Sequence, residues 1–282
     1  MIADQKDFIT PHITDAHTLD YPCLHSGFVC EYELPRWSPI HIGRFALDIS
    51  PTRHVVMLWI AALLCIVTTL LALRAHNRRT REGRAPSGFG NGLEALVLYM
   101  RNEVVLPNVG AHGNGYVPYL LTLFFFILFA NLLGLVPYGS TATGNISVTA
   151  TLAIVTFIVI ELAGMKAQGK AYINTIIFWP SDMSLGMKLF ITPILTPIEI
   201  IGKLTKPFAL AIRLIANMTA GHVVLLALIS LIFTFGSWFV VPVPVLMGVA
   251  ISVLELFVAI LQAFIFTLLS SVFIGLIREG AH

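Results

Sequence analysis

The sequence predicts an all-α integral membrane protein with about five transmembrane crossings, an interfacial amphipathic helix, and two long, strongly tilted helices at the C-terminal end. Hydrophobic residues make up 57% of the 282 residues and charged residues only 11%, against roughly 25% charged residues in a typical soluble domain. Uncharged apolar segments long enough to cross a bilayer recur along the chain. Basic residues collect in alternate loops, as the positive-inside rule requires. Because the charged residues are too few to cover the folded chain with a polar surface, its solvent is predicted to be largely lipid.

The first 53 residues form a predicted extracytoplasmic segment, and residues 54–282 a predicted membrane domain. The segment is polar, carries more acids than bases, and lacks the basic start and short apolar core of a signal peptide. Cys23 and Cys30 would lie on an oxidising side, where both a disulfide and free thiols remain open. Four histidines are spaced as in a solvated loop rather than a metal site: His12, His17, His25 and His41. No cofactor or metal is expected.

The first crossing is predicted at Val55–Leu73, an uncharged segment of about 19 residues. Five arginines follow it directly: Arg74, Arg78, Arg79, Arg81 and Arg84. This basic loop is assigned to the cytoplasm, which places the N-terminus outside. We interpret the cluster as a topology anchor, with lipid or partner binding as the alternative. Residues 91–106 carry apolar side chains at helical spacing, which predicts an amphipathic helix lying at the interface.

Four further crossings are predicted at Val117–Val136, Ile146–Met165, Leu189–Phe235 and about Val245–Ile277. The loops at 137–145 and 236–244 carry no formal charge and are assigned to the outside. Lys166 and Lys170 follow the third crossing and Arg278 follows the fifth, so these ends are assigned to the cytoplasm. The pattern predicts an outer N-terminus and a cytoplasmic C-terminus.

The last two apolar segments are longer than a bilayer requires. About 33 residues at 1.5 Å each give roughly 50 Å, against about 30 Å of hydrocarbon. Helices of that length must tilt strongly, kink or project. Pro193, Pro197 and Pro207 are positions at which the first of them is able to bend. The stretch 172–188 that precedes it is predicted to be a cytoplasmic connection.

Arg213 is the strongest functional candidate, since ionisable groups inside spans cost several kcal/mol unless they are paired or hydrated. It has apolar neighbours on both sides in the segment PFALAIRLIANMTAGH. Arginine keeps its proton at any ordinary pH, so Arg213 is a permanent positive charge at membrane depth. A snorkelling or carboxylate-paired structural arginine is the alternative.

Helical geometry groups other polar residues with Arg213. Asn217 and Glu199 lie within about 40° of Arg213 around the helix, whereas His222 lies about 180° away and serves another surface. Glu199 and Lys203 are spaced i,i+4, which is also the spacing of a purely local ion pair. The helix therefore offers a fixed cation on one face and an imidazole on the other.

On the last helix, Glu255 and Gln262 are seven residues apart, on one face and about 10 Å from each other. Carboxylates and imidazoles exchange protons near neutral pH, especially when partly desolvated. With His222, they supply the titratable groups and amide dipole that a proton path needs. Glu161, near the cytoplasmic end of the third crossing, is either a further stepping stone or a snorkelling acid.

Three blocks of the sequence resemble subunit a of the F-type ATP synthase membrane sector. They are PFALAIRLIANMTAGH, ELFVAILQAFIFTLL from Glu255 to Leu269, and NLLGLVPYGSTATGNISVTATLA from Asn131 to Ala153. The blocks occur in the family's order, each in a predicted span. The resemblance covers roughly residues 50–280 and leaves the N-terminal 50 residues outside.

The resemblance implies roles for individual residues. The family's essential arginine falls on Arg213 and its asparagine on Asn217. The glutamine of its last helix falls on Gln262, and the acid of its long preceding helix on Glu199. Some bacterial members carry Glu at the position of His222 and His at the position of Glu255, which implies that these two positions are neighbours with one function.

The resemblance also implies a mechanism. Protons enter an outer half-channel, protonate a carboxylate of a rotating c-ring, and leave through a second half-channel after rotation. Arg213 would face the ring between the half-channels, and His222, Glu255, Asn217 and Gln262 would line or adjoin the outer one. The chain would catalyse no bond chemistry itself. The implied partners are the c-ring, subunit b of the peripheral stalk, the remaining synthase subunits, protons and lipid, in a bacterial inner membrane.

Other function classes fit the sequence less well. A secondary transporter using Arg213 as an anion site should show internal repeats with interrupted helices, and an intramembrane hydrolase should show a motif such as H-E-x-x-H; neither pattern is evident. A net charge of +2 does not predict a nucleic-acid partner, and no glycine-rich phosphate loop predicts nucleotide binding. Coupling to sodium instead of protons remains open.

Overall fold

The computed structural model describes residues 15–21, 30–38, 40–42, 45–48, 50–81, 88–110, 113–136, 139, 141–172, 185–237 and 239–279. Within these ranges the α-helices are α1 (Arg53–Arg81), α2 (Phe89–Tyr99), α3 (Leu106–Val109), α4 (Val117–Leu135), α5 (Ile146–Gln168), α6 (Leu185–Phe235) and α7 (Pro242–Glu279). Four short strands precede α1.

In the part of the chain that the structure describes, five helices are long and apolar enough to cross a membrane: α1, α4, α5, α6 and α7. The five predicted crossings are therefore confirmed, and the chain is a multi-pass membrane protein. The observed helices extend beyond the predicted spans; α1, for example, continues through the arginines to Arg81. Charged residues end an apolar span but are good helix formers, so they do not end the helix.

The last two helices are longer than predicted. α6 contains 51 residues and α7 contains 38, which correspond to about 76 Å and 57 Å at 1.5 Å per residue. α6 continues through Pro193, Pro197 and Pro207. Both helices exceed the roughly 30 Å of a hydrocarbon core, so each must tilt, bend or project beyond it. The connection predicted at 172–188 falls mainly outside the described residues.

The predicted amphipathic helix at 91–106 is interrupted. α2 ends at Tyr99, a π-helical turn spans Met100–Val105, and α3 follows. The extra residue of a π turn rotates the chain, which allows Met100, Val104 and Val105 all to be buried. A search for one constant helical period cannot detect this change of face.

The N-terminal segment contains two antiparallel hairpins, for which the sequence analysis gave no prediction. β1 (Thr18–Tyr21) pairs with β2 (Cys30–Glu33), and β3 (Ile40–Ile42) pairs with β4 (Phe45–Leu47). Cys30 is disulfide-bonded, whereas Cys23, His12 and His25 lie outside the described residues. Among the residues that are described, no three His, Cys, Asp or Glu side chains form a group that could hold a metal ion.

The described residues form two compact units. Unit 1 comprises those within Met1–Leu71, Phe125–Val148 and Leu214–Ala263, and unit 2 those within Ala72–Phe124, Thr149–Arg213 and Phe264–His282. Unit 1 contains the hairpins and the uncharged loops that were assigned to the outside. Unit 2 contains the loops that were assigned to the cytoplasm.

Unit 2 has an apolar core built around the end of α7. The buried core residues are Val105, Val109, Val117, Leu120, Ile160, Ala163 and Ile274. Gly275 of α7 packs directly against the Asn108 carbonyl, and such small residues let helix backbones approach closely. A guanidinium nitrogen of Arg278 donates to the Val109 carbonyl oxygen at 2.8 Å and lies over the Tyr116 ring. These contacts fasten the C-terminal end of α7 to α3.

Candidate functional site

His222 on α6 and Glu255 on α7 form a titratable pair in unit 1. Nδ1 of His222 lies 3.8 Å from Oε1 of Glu255, and Glu255 is only 8% exposed. Along α6, Asn217 precedes His222, whereas on α7 its partner Gln262 follows Glu255, so the two helices pair in antiparallel order here. The two positions at which the family resemblance implied a neighbouring acid and histidine are indeed adjacent.

A glycine makes room for the Glu255 carboxyl group. A Cβ at Gly221 would lie 2.7 Å from Cδ and 2.9 Å from Cγ of Glu255, well inside the 3.5–4.0 Å of favourable carbon contacts. The carboxyl group therefore packs directly on the α6 backbone. Its two buried oxygens accept no hydrogen bond from the described protein groups. Among the described groups, this carboxyl is therefore not used in a structural hydrogen bond.

The other ring nitrogen of His222 contacts one oxygen in the last turn of α4 and one in the loop that follows it. Nε2 lies 2.7 Å from Oγ1 of Thr141 and 3.1 Å from the carbonyl oxygen of Gly134. A protonated Nε2 donates to these oxygens, whereas an unprotonated Nε2 accepts from the Thr141 hydroxyl. His222 is therefore held in either protonation state, as a proton-relaying imidazole requires.

Thr141→Val should destabilise unit 1 measurably. Valine has the same shape but leaves the buried end of the imidazole with one partner fewer, and an unsatisfied buried group costs about 1–3 kcal/mol. We expect thermal unfolding of the purified protein to shift down by a few degrees, since 1 kcal/mol corresponds to roughly 2–4 °C at this size. Thr122→Val is the matched control, because the Thr122 hydroxyl is exposed and donates to Pro118 of its own helix. An equal shift in both variants would contradict the assignment.

Asn217 and Gln262 form a second link between α6 and α7. Nδ2 of Asn217 donates to Oε1 of Gln262 at 3.0 Å. Gln262 is 1% exposed, and its Nε2 finds no acceptor among the described protein groups. Asn217 is exposed. The amide pair thus connects the buried Gln262 side chain on α7 with the exposed face of α6 on which Asn217 lies.

A buried polar network joins the α4–α5 loop to α4, and α4 to α7. Thr143 donates to Oδ1 of Asn131 at 2.8 Å, and Nδ2 of Asn131 donates to the Ala259 carbonyl oxygen at 3.1 Å. Asn131 and Thr143 are fully buried. Satisfied buried networks fix a single arrangement of the chain. This network therefore positions the loop from which Thr141 reaches His222.

Arg213 lies on α6 and is the last residue of the Thr149–Arg213 segment of unit 2. It is exposed, although it stands within a helix whose apolar length suits a membrane. Within the part of the chain that the structure describes, no carboxylate forms an ion pair with it. The carboxylate-paired structural alternative therefore finds no support among these residues.

Acidic and basic groups also meet in unit 2. Nζ of Lys203 lies 3.9 Å from Oε2 of Glu161 and 4.8 Å from the centre of the Tyr172 ring. Lys203 therefore has a carboxylate partner on α5 that its spacing from Glu199 did not suggest. Glu199 is half-buried on α6. The structure thus brings Glu161 to the acid-bearing stretch of α6, as a proton path through both residues would need.

Imidazole and carboxyl groups such as these exchange protons near neutral pH. The site offers an imidazole, an uncommitted carboxyl, hydroxyl and amide groups, and a separate permanent cation. The described serines on α7 donate to carbonyls of their own helix, so none is paired with a base. Nothing in this set resembles an activated nucleophile.

The family model described as "ATP synthase A chain" matches residues 55–275. The chain belongs to the ATP synthase A chain family. It is 44% identical to ATP synthase subunit a 2 of Chlorobaculum tepidum over 97% of this chain and 74% of that protein. It is 47% identical to ATP synthase subunit a 2 of Prosthecochloris aestuarii over 96% of this chain and 78% of that one. It is 42% identical to ATP synthase subunit a of Anaeromyxobacter dehalogenans over 95% of this chain and 70% of that protein.

These matches extend beyond the part of the sequence in which we recognised the family. The resemblance left the N-terminal 50 residues outside, whereas the three relatives align with 95–97% of the chain. The N-terminal segment is therefore largely shared with these members of the ATP synthase A chain family. It is not an appendage peculiar to this chain.

Sequence reasoning missed the partners that position the site. Thr141, Asn131 and Gly134 lie in a block that was recognised as family-like, but nothing in their spacing assigned them a role. Gly221 was missed because a glycine carries no chemistry of its own. Their roles depend on contacts between helices that are far apart in sequence.

Proposed function

We propose that the chain is the proton-translocating stator subunit of an F-type ATP synthase. It would provide two half-channels and the arginine, Arg213, that faces a rotating c-ring. Membership of the ATP synthase A chain family and the five apolar helices support this proposal. The observation that carries it is the exposed Arg213 in an apolar helix, without a carboxylate partner among the described residues.

An unpaired charge at membrane depth is costly, so Arg213 needs a partner that another chain supplies. A carboxylate passing on a c-ring has the complementary charge. The guanidinium favours the ionised form of that carboxylate and hence proton release. Because it cannot give up its own proton, it also blocks direct proton leakage between the two half-channels.

The outer half of the path would use the His222–Glu255 pair. Both groups are able to bind and release protons, and the Glu255 oxygens are not committed to described protein donors. Asn217 and Gln262 would extend the polar path towards the exposed surface of α6. The inner half would use Glu199 and Glu161. A transmembrane potential supplies about 2.3 kcal/mol per charge for each 100 mV.

Several finer statements follow from this assignment. The segment of residues 1–53 would lie outside the cytoplasm, and residues 54–282 would form the membrane domain with a cytoplasmic C-terminus. The membrane would be a bacterial inner membrane. The chain itself would be non-catalytic and would assemble with the c-ring, subunit b of the peripheral stalk and the other synthase subunits.

His222→Ala and Glu255→Ala should each slow proton transport without abolishing it. Each substitution removes one relay group. A positioned proton-transfer group typically contributes about 10²–10⁴-fold to a rate, and we expect a smaller, roughly ten- to hundredfold loss here. Ordered water partly replaces the lost group, which keeps the path open. The measurement is ATP-driven acidification of inverted membrane vesicles, with co-purification of the c-ring as the check on assembly.

Ser252→Ala provides the control on α7, because the exposed Ser252 hydroxyl donates only within its own helix, to the Gly248 carbonyl. It should leave the rate unchanged. Parental rates in both His222→Ala and Glu255→Ala would remove these residues from the path. If the parent protein shows no ATP-dependent pumping and no c-ring co-purifies with it, the proposed function is wrong and a secondary transporter is favoured.

A further inference from the structure

His54, at the start of α1, contacts the N-terminal segment and the α4–α5 loop with one and the same ring nitrogen. Nδ1 lies 2.8 Å from Oδ1 of Asp15 and 3.3 Å from Nδ2 of Asn145. His54 is 3% exposed, while Asp15 is exposed. A buried imidazole thus has a solvent-facing carboxylate on one side and a loop amide on the other, all within unit 1.

The two contacts require opposite states of Nδ1. An ionised carboxylate only accepts hydrogen bonds, so the contact with Asp15 needs a proton on Nδ1. The amide nitrogen of Asn145 only donates, so the contact with Asn145 needs an Nδ1 that carries a lone pair. One nitrogen cannot satisfy both partners at once. The presence or absence of a proton on Nδ1 therefore selects between the N-terminal segment and the loop.

Asn145 is a structural end point of the loop that holds the candidate site. Its Oδ1 accepts from the Ser147 backbone N–H at 2.8 Å, which is the N-cap contact of α5. Its own N–H donates to the Ala142 carbonyl, closing the short 3₁₀ turn at Ala142–Gly144. Thr141 lies immediately before this turn, and its hydroxyl contacts His222.

The turn between the two contacts is closely packed. Thr141, Ala142 and Thr143 are buried, and the Gly144 N–H donates to the Thr141 carbonyl at 2.9 Å. A closely packed turn transmits a displacement instead of absorbing it. A change in the Asn145 contact is therefore expected to displace Thr141, whose hydroxyl contacts His222.

We propose that His54 is a positioning residue for the outer proton path, and that its Nδ1 exchanges Asp15 for Asn145 as the outer pH changes. This proposal rests on the proposed function, because it assigns the loop and His222 to the outer half-channel. At high pH, Nδ1 accepts from Asn145 and the loop is fastened. At low pH, protonated Nδ1 turns to Asp15 and the loop is released.

Burial and the adjacent Arg53 disfavour the charged form of the His54 imidazole, and the Asp15 carboxylate favours it. Among the described residues, the charged groups that act on His54 are Asp15 and the adjacent, buried Arg53. From the loop and the start of α5 it is faced by the neutral Asn145. His17 on the same N-terminal segment contacts the Pro51 carbonyl instead. Asp15 is thus the carboxylate that favours the charged imidazole.

The first test is hydrogen–deuterium exchange of the amides at 144, 145 and 147 in the purified complex. Rates are measured between pH ~5 and ~8, the range in which histidine titrates, and are corrected for intrinsic chemical exchange. In the parent, protection should rise roughly two- to tenfold with pH, the factor expected for one net hydrogen bond. His54→Asn keeps a polar group but cannot titrate, so its protection should not change with pH.

Two further variants sharpen this test. Asp15→Asn removes the charge that favours the imidazolium, so the transition should move to lower pH by roughly one unit. His17→Asn removes a neighbouring histidine that does not contact Asn145, and the parental transition should persist. The same transition in His54→Asn as in the parent, or none in the parent, would overturn the proposal.

The second test connects His54 with transport. Inverted vesicles are preloaded with buffers over the same pH range, and ATP-driven pumping is measured for the parent, His54→Asn and His17→Asn. The dependence on internal pH should flatten in His54→Asn alone. Identical profiles would overturn the link to the proton path even if the exchange transition is present. Failure of the proposed function itself would show separately, as normal pumping by Arg213→Ala.

Discussion

Arg213→Ala should abolish proton transport while the complex still assembles. Two unit charges about 4 Å apart interact with roughly 4 kcal/mol at the effective dielectric of 20 typical of protein sites. Loss of this interaction would lower the ionised fraction of a facing carboxylate by roughly a thousandfold, since each 1.36 kcal/mol is a factor of ten. ATP-driven acidification of inverted vesicles should therefore fall to background, with the c-ring still co-purifying.

The control removes a positive charge elsewhere in the same chain. Arg101, in the π-helical turn, hydrogen-bonds to the side chains of Asn102 and Asn114, so Arg101→Ala should pump at close to the parental rate. Arg213→Lys keeps a charge but loses the planar fork and the permanent proton of the guanidinium. It should pump poorly. Normal pumping by Arg213→Ala would rule out a stator arginine.

The membrane architecture could be predicted because it depends on local properties of the chain. Uncharged length marks a span whatever that span packs against, and all five crossings were predicted on that basis. The strand pairs β1–β2 and β3–β4 were not predicted, since strands of three or four residues are marginal by themselves. The π-helical turn at Met100–Val105 was missed because it changes the helical period.

The candidate site was predicted in part for a related reason. Arg213, His222 and Glu255 are conspicuous because polar groups are rare inside spans. Their partners are ordinary residues whose importance lies in where they are placed. Thr141 meets His222 across 81 positions of the chain, and Asp15 meets His54 across 39. No periodicity connects such positions, so only the folded chain reveals them.

The proposed mechanism uses two kinds of residue, which differ in whether they have fixed partners within the described chain. Arg213, exposed and without a described carboxylate partner, is suited to an interaction that forms and breaks as another chain moves past. His222 and Asn131 have several fixed partners each. The groups with fixed partners maintain the geometry of the proton path, while the exposed cation pairs with each carboxylate as it passes. A substitution among the fixed groups should therefore change the rate, whereas loss of the cation should remove coupling altogether.

Gly221→Ala should reduce transport about as strongly as removing the Glu255 carboxyl, although it changes no polar group. The new methyl group would collide with the end of Glu255, 2.7 Å from Cδ and 2.9 Å from Cγ, and force the carboxyl group away from His222. Overpacking costs about 1–3 kcal/mol, while alanine gains roughly 1 kcal/mol over glycine in a helix. Stability should therefore change little, while pumping should fall roughly ten- to hundredfold, as for removal of a positioned proton-transfer group that water partly replaces.

Gly202→Ala is the matched control on the same helix, because a Cβ at Gly202 meets nothing within 4 Å. It should pump normally and be slightly more stable. Adding Glu255→Asp to Gly221→Ala shortens the acid by one methylene and should restore part of the rate, since the carboxyl group then clears the methyl. Equal pumping by Gly221→Ala and Gly202→Ala would mean that the close seat of Glu255 on α6 is not needed. If the double variant pumps faster than Gly221→Ala, the loss of pumping in Gly221→Ala is due to the position of the carboxyl group rather than to a disturbed fold.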